Sequence, residues 1–342
     1  MKRFPMPHLS TRVLQGLLTL LLTLFGLLLV TFALSAFSPV DRVLQIVGDH
    51  ASQSTYDQVR HQLGLDRPLL VQFWHYLQNL AHGDLGTASA TGQPVLQDLL
   101  HAFPATLELA TLALIIGAVL GVIAGVLCAR YAGSPLDLTI RTLTLLGNSV
   151  PIFWLGLLML ALFYAKLQWS AGPGRLDDIW QFTVEPRTGF ALVDTWLSGD
   201  REAFRNALSH LVLPVLLLAY YSLASITRLT RSACLSEMNK EYILLARTKG
   251  AGEMTILLRH VLPNIRGTLL TVIALAYTSM LEGAVLTETV FSWPGIGRYL
   301  TTALFAGDTT AVMGGTLLIG VCFVLINNLT DLLVRATDPR VR

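Results

Sequence analysis

The sequence EYILLARTKGAGEMTILLRHVLPN, residues 241–264, lies between two long apolar runs and decides how the rest of the chain is interpreted. A helical run from Ser236 to Lys249 ends at Gly250, the residue type that most readily adopts the left-handed conformation after a helix. Cations in the last turn of that run interact favourably with the helix dipole. A second short helix, Glu253 to His260, is predicted to stop before Leu262-Pro263-Asn264. The stretch therefore predicts a helix, a glycine turn and a second helix.

The apolar runs on either side of this stretch belong to a chain composed for a membrane. Of its 342 residues, 53% are hydrophobic and 13% are charged, whereas soluble domains carry about 25% charged residues. A helix that crosses about 30 Å of hydrocarbon needs about 20 largely apolar residues. Six stretches meet that requirement, at residues 13–37, 105–129, 139–165, 209–227, 267–290 and 312–334.

The distribution of Lys and Arg orients these spans. Seven of the 24 basic residues lie between the fourth and fifth spans, namely Arg228, Arg231, Lys240, Arg247, Lys249, Arg259 and Arg266. Because cytosolic loops carry an excess of Lys and Arg, this loop, the N-terminus and the C-terminal tail are predicted to be cytosolic. The first span follows a basic start and is about twice as long as the apolar core of a secretory signal, so it is predicted to be a retained anchor.

Composition and missing motifs exclude several classes of function. The net charge of +2 argues against a nucleic-acid binder. Cys128, Cys234 and Cys322 are too scattered for a disulfide framework or a metal site. The sequence has no phosphate-binding loop, zinc-protease motif or nucleophile elbow. No catalytic, cofactor-binding or metal-ligating residue is therefore predicted in this chain.

Two segments outside the spans are predicted to be structured. The first, residues 38–104, contains helix-like runs at Tyr56–Leu63 and Leu69–Ala81, separated by a Gly64–Pro68 turn signal. The second, residues 166–208, opens with the breaker cluster Ala171-Gly172-Pro173-Gly174. Both lie on the external side in the predicted orientation.

The spacing around Gly250 resembles the cytosolic signature of ABC importer permeases. That signature reads Glu-Ala-Ala, three residues, Gly, nine residues, Ile, one residue and Leu-Pro. In this chain nine residues separate Gly250 from His260, and Leu262-Pro263 follows after one more. The Glu-Ala-Ala positions hold Leu244-Leu245-Ala246, so the signature glutamate is absent and His260 replaces the isoleucine.

This departure resembles the peptide and nickel branch of these permeases. In that branch the stretch reads acid-Tyr-Ile and then Ala-Arg-x-Lys-Gly, as Glu241-Tyr242-Ile243 and Ala246-Arg247-Thr248-Lys249-Gly250 do here. Further segments resemble the same branch, and they are Leu63–Leu69, His82–Gly86, Phe103–Leu109 and Glu288–Gly297. The likeness covers nearly the whole chain.

The resemblance implies an all-α integral membrane protein with six transmembrane helices and the fold of type I ABC importer permeases. It implies a cytosolic N-terminus at 1–12, a first span at 13–37, a structured external segment at 38–104 and a permease core at 105–342. Within that core lies a cytosolic coupling loop at 228–266. The residues implied in docking the ATPase are Glu241, Tyr242, Ala246, Arg247, Lys249, Gly250, Glu253, Arg259, His260, Leu262, Pro263 and Asn264. An apolar stripe, Ile256 to Leu258, is expected to contribute to that surface.

The resemblance also implies partners. They are a second homologous permease, two cytosolic ATPase subunits that bind ATP and Mg²⁺, and an external solute-binding protein. The protein itself is expected to be a multi-pass component of a bacterial inner membrane without its own ATPase. A short peptide, dipeptide-type in particular, is the expected substrate.

Polar residues inside the spans are candidates for a translocation path or gate, because they are costly in a bilayer. The candidates are Glu108, Asn148, Ser149, Pro151, Glu282, Glu288, Trp293, Pro294 and Gly295. Glu108 could instead be hydrated or bonded to a hydroxyl such as that of Thr111. Glu282, beside Gly283, could be packed between helices, and Pro151 could be an ordinary kink. The turn from Phe291 to Gly297 resembles the family's re-entrant segment at the external gate.

Three alternatives to a peptide permease remain at this point. The same architecture could carry nickel or a metal chelate, although no His, Cys or Met cluster along one span favours a metal. A secondary transporter driven by an ion gradient would be expected to show more intramembrane acids and an inverted repeat. A membrane scaffold or sensor would not need the spacing around Gly250.

Overall fold

A computed structural model of the chain describes residues 9–37, 41–48 and 50–337. Over these residues the chain is helical, with one isolated bridge between Thr87 and Pro94 and no strand, so the predicted all-α class is confirmed. Of the predicted cytosolic termini, residues 1–8 and 338–342 lie outside the described part. The helices are α1 (Leu9–Ala36), α2 (Arg42–Val47), α3 (Gln53–Gln62), α4 (Leu69–Ala81), α5 (Val95–Arg130), α6 (Pro135–Ser149), α7 (Ile152–Met159), α8 (Asp178–Thr183), α9 (Ala191–Leu197), α10 (Arg201–Met238), α11 (Glu241–Thr248), α12 (Glu253–Ile256), α13 (Leu262–Val290), α14 (Ile296–Phe305) and α15 (Thr309–Thr337).

Several of these helices are long and apolar enough to cross a membrane. Four qualify alone among the described residues, namely Val95–Arg130, Arg201–Met238, Glu253–Val290 and Thr309–Thr330. A fifth span forms if the bent pair of α6 and α7, with its π-helical extension Leu160–Lys166, is counted as one. Within α1, Leu20–Ala36 is a shorter apolar helix. The count of six spans stays a prediction.

The chain divides into two compact units. The first comprises the residues up to His101 together with Tyr299–Asn328. Here α1 and α4 pack through aromatic rings, and the centroid of Phe32 lies 5.1 Å from that of Phe73. The Tyr56 hydroxyl donates to Asp41 at 2.7 Å, which lowers the pKa of that carboxyl and joins α3 to the start of α2. The segment after the first span is therefore folded, as predicted.

The second unit, Ala102–Arg298 with the residues from Leu329 onward, packs α5 closely against α10. Gly117, Gly121 and Gly125 recur every fourth residue along α5 and face α10. A Cβ at Gly125 would lie 2.6 Å from the Cβ of Thr230, closer than real contacts allow. Small residues at this spacing let helix backbones approach each other in a membrane. Pro214 lies inside α10 without interrupting it.

Candidate functional site

The stretch of residues 241–264, called the coupling segment below, forms two helical pieces around a glycine turn. The first piece is α11, which is separated from α10 by a turn at Asn239–Lys240. The predicted uninterrupted run from Ser236 to Lys249 is therefore wrong. Asparagine favours caps and turns over helix interiors, and the break lets Ile243 turn into the protein. Gly250 follows with a φ of +82°, the left-handed conformation expected for this turn.

The second piece does not stop before Pro263, which corrects the sequence prediction. Residues Glu253–Ile256 continue through a π-helical turn at Leu257–Val261 into α13. Proline breaks a helix because it lacks an N–H and its ring clashes with the carbonyl one turn earlier. Here Pro263 lies in the first turn of α13, just after the π-turn, which alters the usual backbone pairing at that point. Of the predicted loop 228–266, only residues 239–252 lie outside these long helical runs.

One face of the coupling segment is anchored in a buried apolar cluster. Ile243, Ile256 and Leu257 are fully buried, and they pack with Cys234 of α10 and Val126 of α5. The predicted docking stripe from Ile256 to Leu258 is therefore wrong for its first two members. The segment is thus packed against the ends of three long helices, α5, α10 and α13.

The opposite face of the coupling segment presents apolar side chains to the outside. Leu244 and Leu245 are 62% and 56% exposed, and Met254 and Leu258 are 46% and 54% exposed. Two of these residues stand where the family signature has Glu-Ala. A cluster of exposed apolar side chains rimmed by charges is typical of a protein–protein contact.

Polar contacts hold the shape of this surface. Arg247 Nε donates to Glu253 Oε1 at 2.8 Å and so bridges the Gly250 turn. The Tyr242 hydroxyl donates to Glu237 at 2.7 Å and accepts from Asn264 Nδ2 at 3.1 Å. The remaining docking candidates divide by exposure: Glu241, Lys249, Arg259 and Pro263 are exposed, whereas Ala246, His260 and Leu262 are half-buried.

Glu108, a candidate for the path, is buried in a network at the start of α9. Its carboxylate accepts from Arg175 and from the backbone N–H groups of Ala191 and Leu192, the last at 2.8 Å. The Thr111 hydroxyl instead lies 3.1 Å from that of Tyr277, so the structure does not show the alternative in which Thr111 bonds to Glu108. All three donors to this carboxylate lie more than 60 positions away along the sequence, so no local pattern around Glu108 could have identified them.

Glu288 is likewise buried, at the beginning of α14. It accepts from the Thr106 hydroxyl at 2.6 Å and from the backbone N–H groups of Gly297 and Arg298. An acid at a helix N-terminus satisfies otherwise unpaired amides and interacts favourably with the helix dipole. A Cβ at Gly295 would collide with this carboxylate. Close backbone approach there requires glycine.

The other candidates in this turn differ in exposure. Trp293 is fully buried, and its Nε1 donates to the Ala105 carbonyl at 2.9 Å. Pro294 is exposed. The Arg175 guanidinium lies over the Trp293 ring, 5.6 Å from its centroid. The turn from Phe291 to Gly295 is thus held against α5 by buried contacts.

Two candidates of the third span lie at the break between α6 and α7. Pro151 is exposed and precedes α7, and Ser149 donates its hydroxyl to the Leu145 carbonyl at 2.9 Å. The side chain of Asn148 lies outside the described part of the chain. The predicted proline kink is therefore present as a complete break in the helix.

Glu282 differs from the other two intramembrane glutamates because its side chain is exposed. It lines a cleft of about 450 Å³, called the polar cleft below, between α7, α10 and α13. Tyr221, Ser222, Ser225 and Ser279 contribute hydroxyl groups to the same cleft. Among the sequence-predicted path residues, Glu282 is the one that reaches this space.

Sequence reasoning missed a buried ion pair that joins α6 to α10. Arg231 donates to both oxygens of Asp137, from Nε and from Nη2, each at 2.8 Å. The backbone N–H of Gly133 adds a third bond at 3.0 Å. Arg231 entered the count of basic residues that orients the spans, but no local pattern pairs side chains 94 positions apart.

Comparison with known proteins gives family matches from residue 8 to residue 342. The family described as "Binding-protein-dependent transport system inner membrane component" matches residues 94–342. The family described as "Binding-prot-dependent transport system membrane comp, N-term" matches residues 8–110.

Curated relatives align over nearly their full length. The probable D,D-dipeptide transport system permease protein DdpB of Escherichia coli (strain K12) is 44% identical over 322 residues, 94% of either chain. The di/tripeptide transport system permease protein DppB of Pseudomonas aeruginosa (strain UCBPP-PA14) is 41% identical over 321 residues, 94% of this chain and 95% of that relative.

A solved structure shares the fold. An inward-facing conformation of the MetNI methionine ABC transporter superposes with a TM-score of 0.55 at 18% identity, covering 71% of this chain and 97% of that one. This likeness confirms the predicted importer-permease architecture.

Proposed function

Because the chain belongs to the family of binding-protein-dependent transport system inner membrane components, we propose that it carries short peptides, dipeptides in particular, across a bacterial inner membrane. The observation that carries this proposal is the identity of 39–44% over about 94% of the chain to permease proteins of dipeptide systems. The chain supplies a membrane path, and a separate ATPase supplies the energy. A solute-binding protein delivers the peptide.

The complete importer contains a second, homologous permease and two ATPase subunits. ATP and Mg²⁺ bind to those ATPase subunits. This chain contributes one side of the path, and the second permease closes it. The polar cleft between α7, α10 and α13 supports this arrangement, because a charged side chain on one open face needs an aqueous surrounding.

The coupling segment docks on an ATPase subunit. Its exposed leucines fit an apolar cleft on that partner, and its buried side is packed against α5, α10 and α13. Closure of the two ATPases therefore moves the segment and the attached helix ends together as a rigid body. The Gly250 turn and the Arg247–Glu253 bridge set the angle between the two helical pieces.

A reconstitution experiment tests the transport function. The chain is purified with its partner permease and both ATPases, inserted into proteoliposomes and supplied with the peptide-loaded binding protein. Hydrolysis of ATP is expected to rise with the loaded binding protein, and labelled dipeptide is expected to accumulate inside. If neither hydrolysis nor uptake responds to the loaded binding protein, the proposed function is wrong.

A charge placed on the outward face tests the docking role separately. Leu244→Asp is expected to lower peptide-stimulated hydrolysis at least tenfold, since burying an unpaired carboxylate in an apolar contact costs several kcal/mol. The matched control is Leu70→Asp on α4, where the leucine is 83% exposed and far along the chain from the coupling segment. Equal activity of the two variants would remove Leu244 from the docking surface.

The orientation is tested by chemical labelling. The termini and the coupling segment are proposed to be cytosolic, in line with the four basic residues that lie between α10 and α13, namely Lys240, Arg247, Lys249 and Arg259. In intact cells Lys249→Cys is expected to resist a membrane-impermeant maleimide, whereas Gln93→Cys is expected to react. The reverse pattern would invert the proposed topology.

A further inference from the structure

The polar cleft combines one carboxylate and several hydroxyl groups with apolar side chains of the second unit. Glu282 is the one charged side chain among the described residues that line it. The hydroxyls of Ser222 and Ser225 donate to the carbonyls of Ala219 and Ser222, each at 3.0 Å. A hydroxyl whose proton is used in this way presents lone pairs to its surroundings. The cleft therefore offers a carboxylate and hydroxyl lone pairs to whatever enters it.

Three other carboxylates on helices of this unit have hydrogen-bond donors. Glu108 bonds to Arg175 and two backbone amides, Asp137 bonds to Arg231, and Glu288 bonds to Thr106 and two backbone amides. Glu282 has no hydrogen-bond donor and no cation within the part of the chain that the structure describes. A carboxylate in a membrane helix is costly without a partner or water, and such residues typically mark a path for solutes.

The charge of this lining determines which chemical group of a passing solute it attracts. The one negative charge in this lining repels a carboxylate and attracts a group that has a positive charge and several N–H donors, while apolar side chains such as Met280 and Leu286 line the rest of the cleft. An ammonium group has both properties. Resting on the proposed function, we infer that Glu282 contacts the ammonium group of the peptide as it passes through the polar cleft.

The contact must be weak enough to release the peptide. A translocation site has to bind favourably enough to admit its solute but not so well that the solute is retained. A carboxylate–ammonium contact in a hydrated cleft meets this requirement, because water screens the attraction between the two charges. Glu282 thus acts on the rate of passage, whereas the binding protein sets which peptide is delivered.

The test compares charge variants of the assembled importer in proteoliposomes. Glu282→Gln removes the charge at constant shape, Glu282→Asp retains it, and Glu282→Lys reverses it. The matched control is Glu202→Gln, an exposed carboxylate in the first turn of α10. Uptake of Ala-Ala and Lys-Ala is measured at equal amounts of peptide-loaded binding protein, a protein that these substitutions leave unaltered.

Uptake by Glu282→Gln is expected to fall about tenfold, the change that a contact of about 1.4 kcal/mol produces. Glu282→Asp is expected to restore part of it, and Glu282→Lys is expected to be slower still. Equal losses for the two peptides assign the contact to the α-ammonium group. A larger loss for Lys-Ala assigns it to the side-chain ammonium group.

Two results would overturn the inference while leaving the proposed function intact. One is uptake by Glu282→Gln that equals uptake by Glu202→Gln for both peptides. The other is failure of Glu282→Gln to copurify with its partner subunits, which would make the carboxylate a structural contact. A wild-type complex without binding-protein-stimulated hydrolysis would instead defeat the proposed function itself.

Discussion

The buried ion pair between Asp137 and Arg231 makes a quantitative prediction about stability. The side chain of Asp137 is 2% exposed, and its two oxygens accept two bonds of 2.8 Å from the guanidinium. Arg231→Met removes both bonds and leaves a buried carboxylate without its counter-ion. Breaking a buried pair in this way costs about 3–5 kcal/mol. We expect the free energy of unfolding of the variant to be lower by that amount.

A second variant separates the cost of an unpaired charge from the value of the pair. In the double variant Asp137→Leu with Arg231→Met no charge remains buried, and buried pairs replaced by apolar residues are often neutral or stabilising. Most of the lost stability should therefore return. The surface control is Arg187→Met, because Arg187 and Glu185 are 63% and 78% exposed and lie 3.6 Å apart. Its cost is expected to stay below about 1 kcal/mol.

The assay is equilibrium unfolding in mixed detergent micelles, followed by tryptophan fluorescence and by helical circular dichroism. Coincident transitions of the two probes justify the use of a single free energy. The reasoning is refuted if Arg231→Met and Arg187→Met lose the same stability. It is also refuted if the double variant is as unstable as the single one, because the unpaired charge would then not be the cause.

Three further predictions concern the glycine turn, the buried cluster and the helix contact. Gly250→Val is expected to uncouple hydrolysis from uptake, because a φ of +82° costs a β-branched residue at least 1–2 kcal/mol; normal uptake in proteoliposomes would contradict this. Ile243→Ala should lower the free energy of unfolding in micelles by about 2–5 kcal/mol, because the side chain is fully buried. A decrease of less than about 1 kcal/mol would be inconsistent with that burial. Gly125→Ala should lower the thermal midpoint, whereas Gly26→Ala, where nothing lies within 4 Å of the new Cβ, should not; equal midpoints would argue against close packing of α5 on α10.

The sequence predicted the helical class and the position of the coupling segment because both depend on local patterns. Apolar runs identify helices that can cross a membrane, and the spacing after Gly250 identifies the turn. The same local reasoning failed at Pro263, where a proline signal normally ends a helix. The π-turn before it depends on burial of Leu257 and Val261 against α5 and α10, which no local pattern contains.

The three intramembrane glutamates show the same limit more clearly. From the sequence, Glu108, Glu282 and Glu288 were all candidates for the path, because each is an acid in or at the end of an apolar run. The donors that satisfy Glu108 and Glu288 come from Arg175 and Thr106, which are 67 and 182 positions away. Only the fold shows that the carboxylates of Glu108 and Glu288 accept hydrogen bonds from buried donors, whereas the carboxylate of Glu282 faces the cleft.

The helix that continues through Pro263 connects the coupling segment directly to the polar cleft. Because the helix runs without a stop from Glu253 to Val290, the second piece of the coupling segment and Glu282 belong to one element. At 1.5 Å per residue, Glu282 lies about 40 Å along that helix from its first turn. Two separate helices joined by a flexible loop would absorb a displacement at the cytosolic end. If the coupling segment docks on an ATPase as proposed, a single helix packed at its base by Leu257 and Ile265 is expected to carry the displacement to the cleft as a shift of α13 against α10.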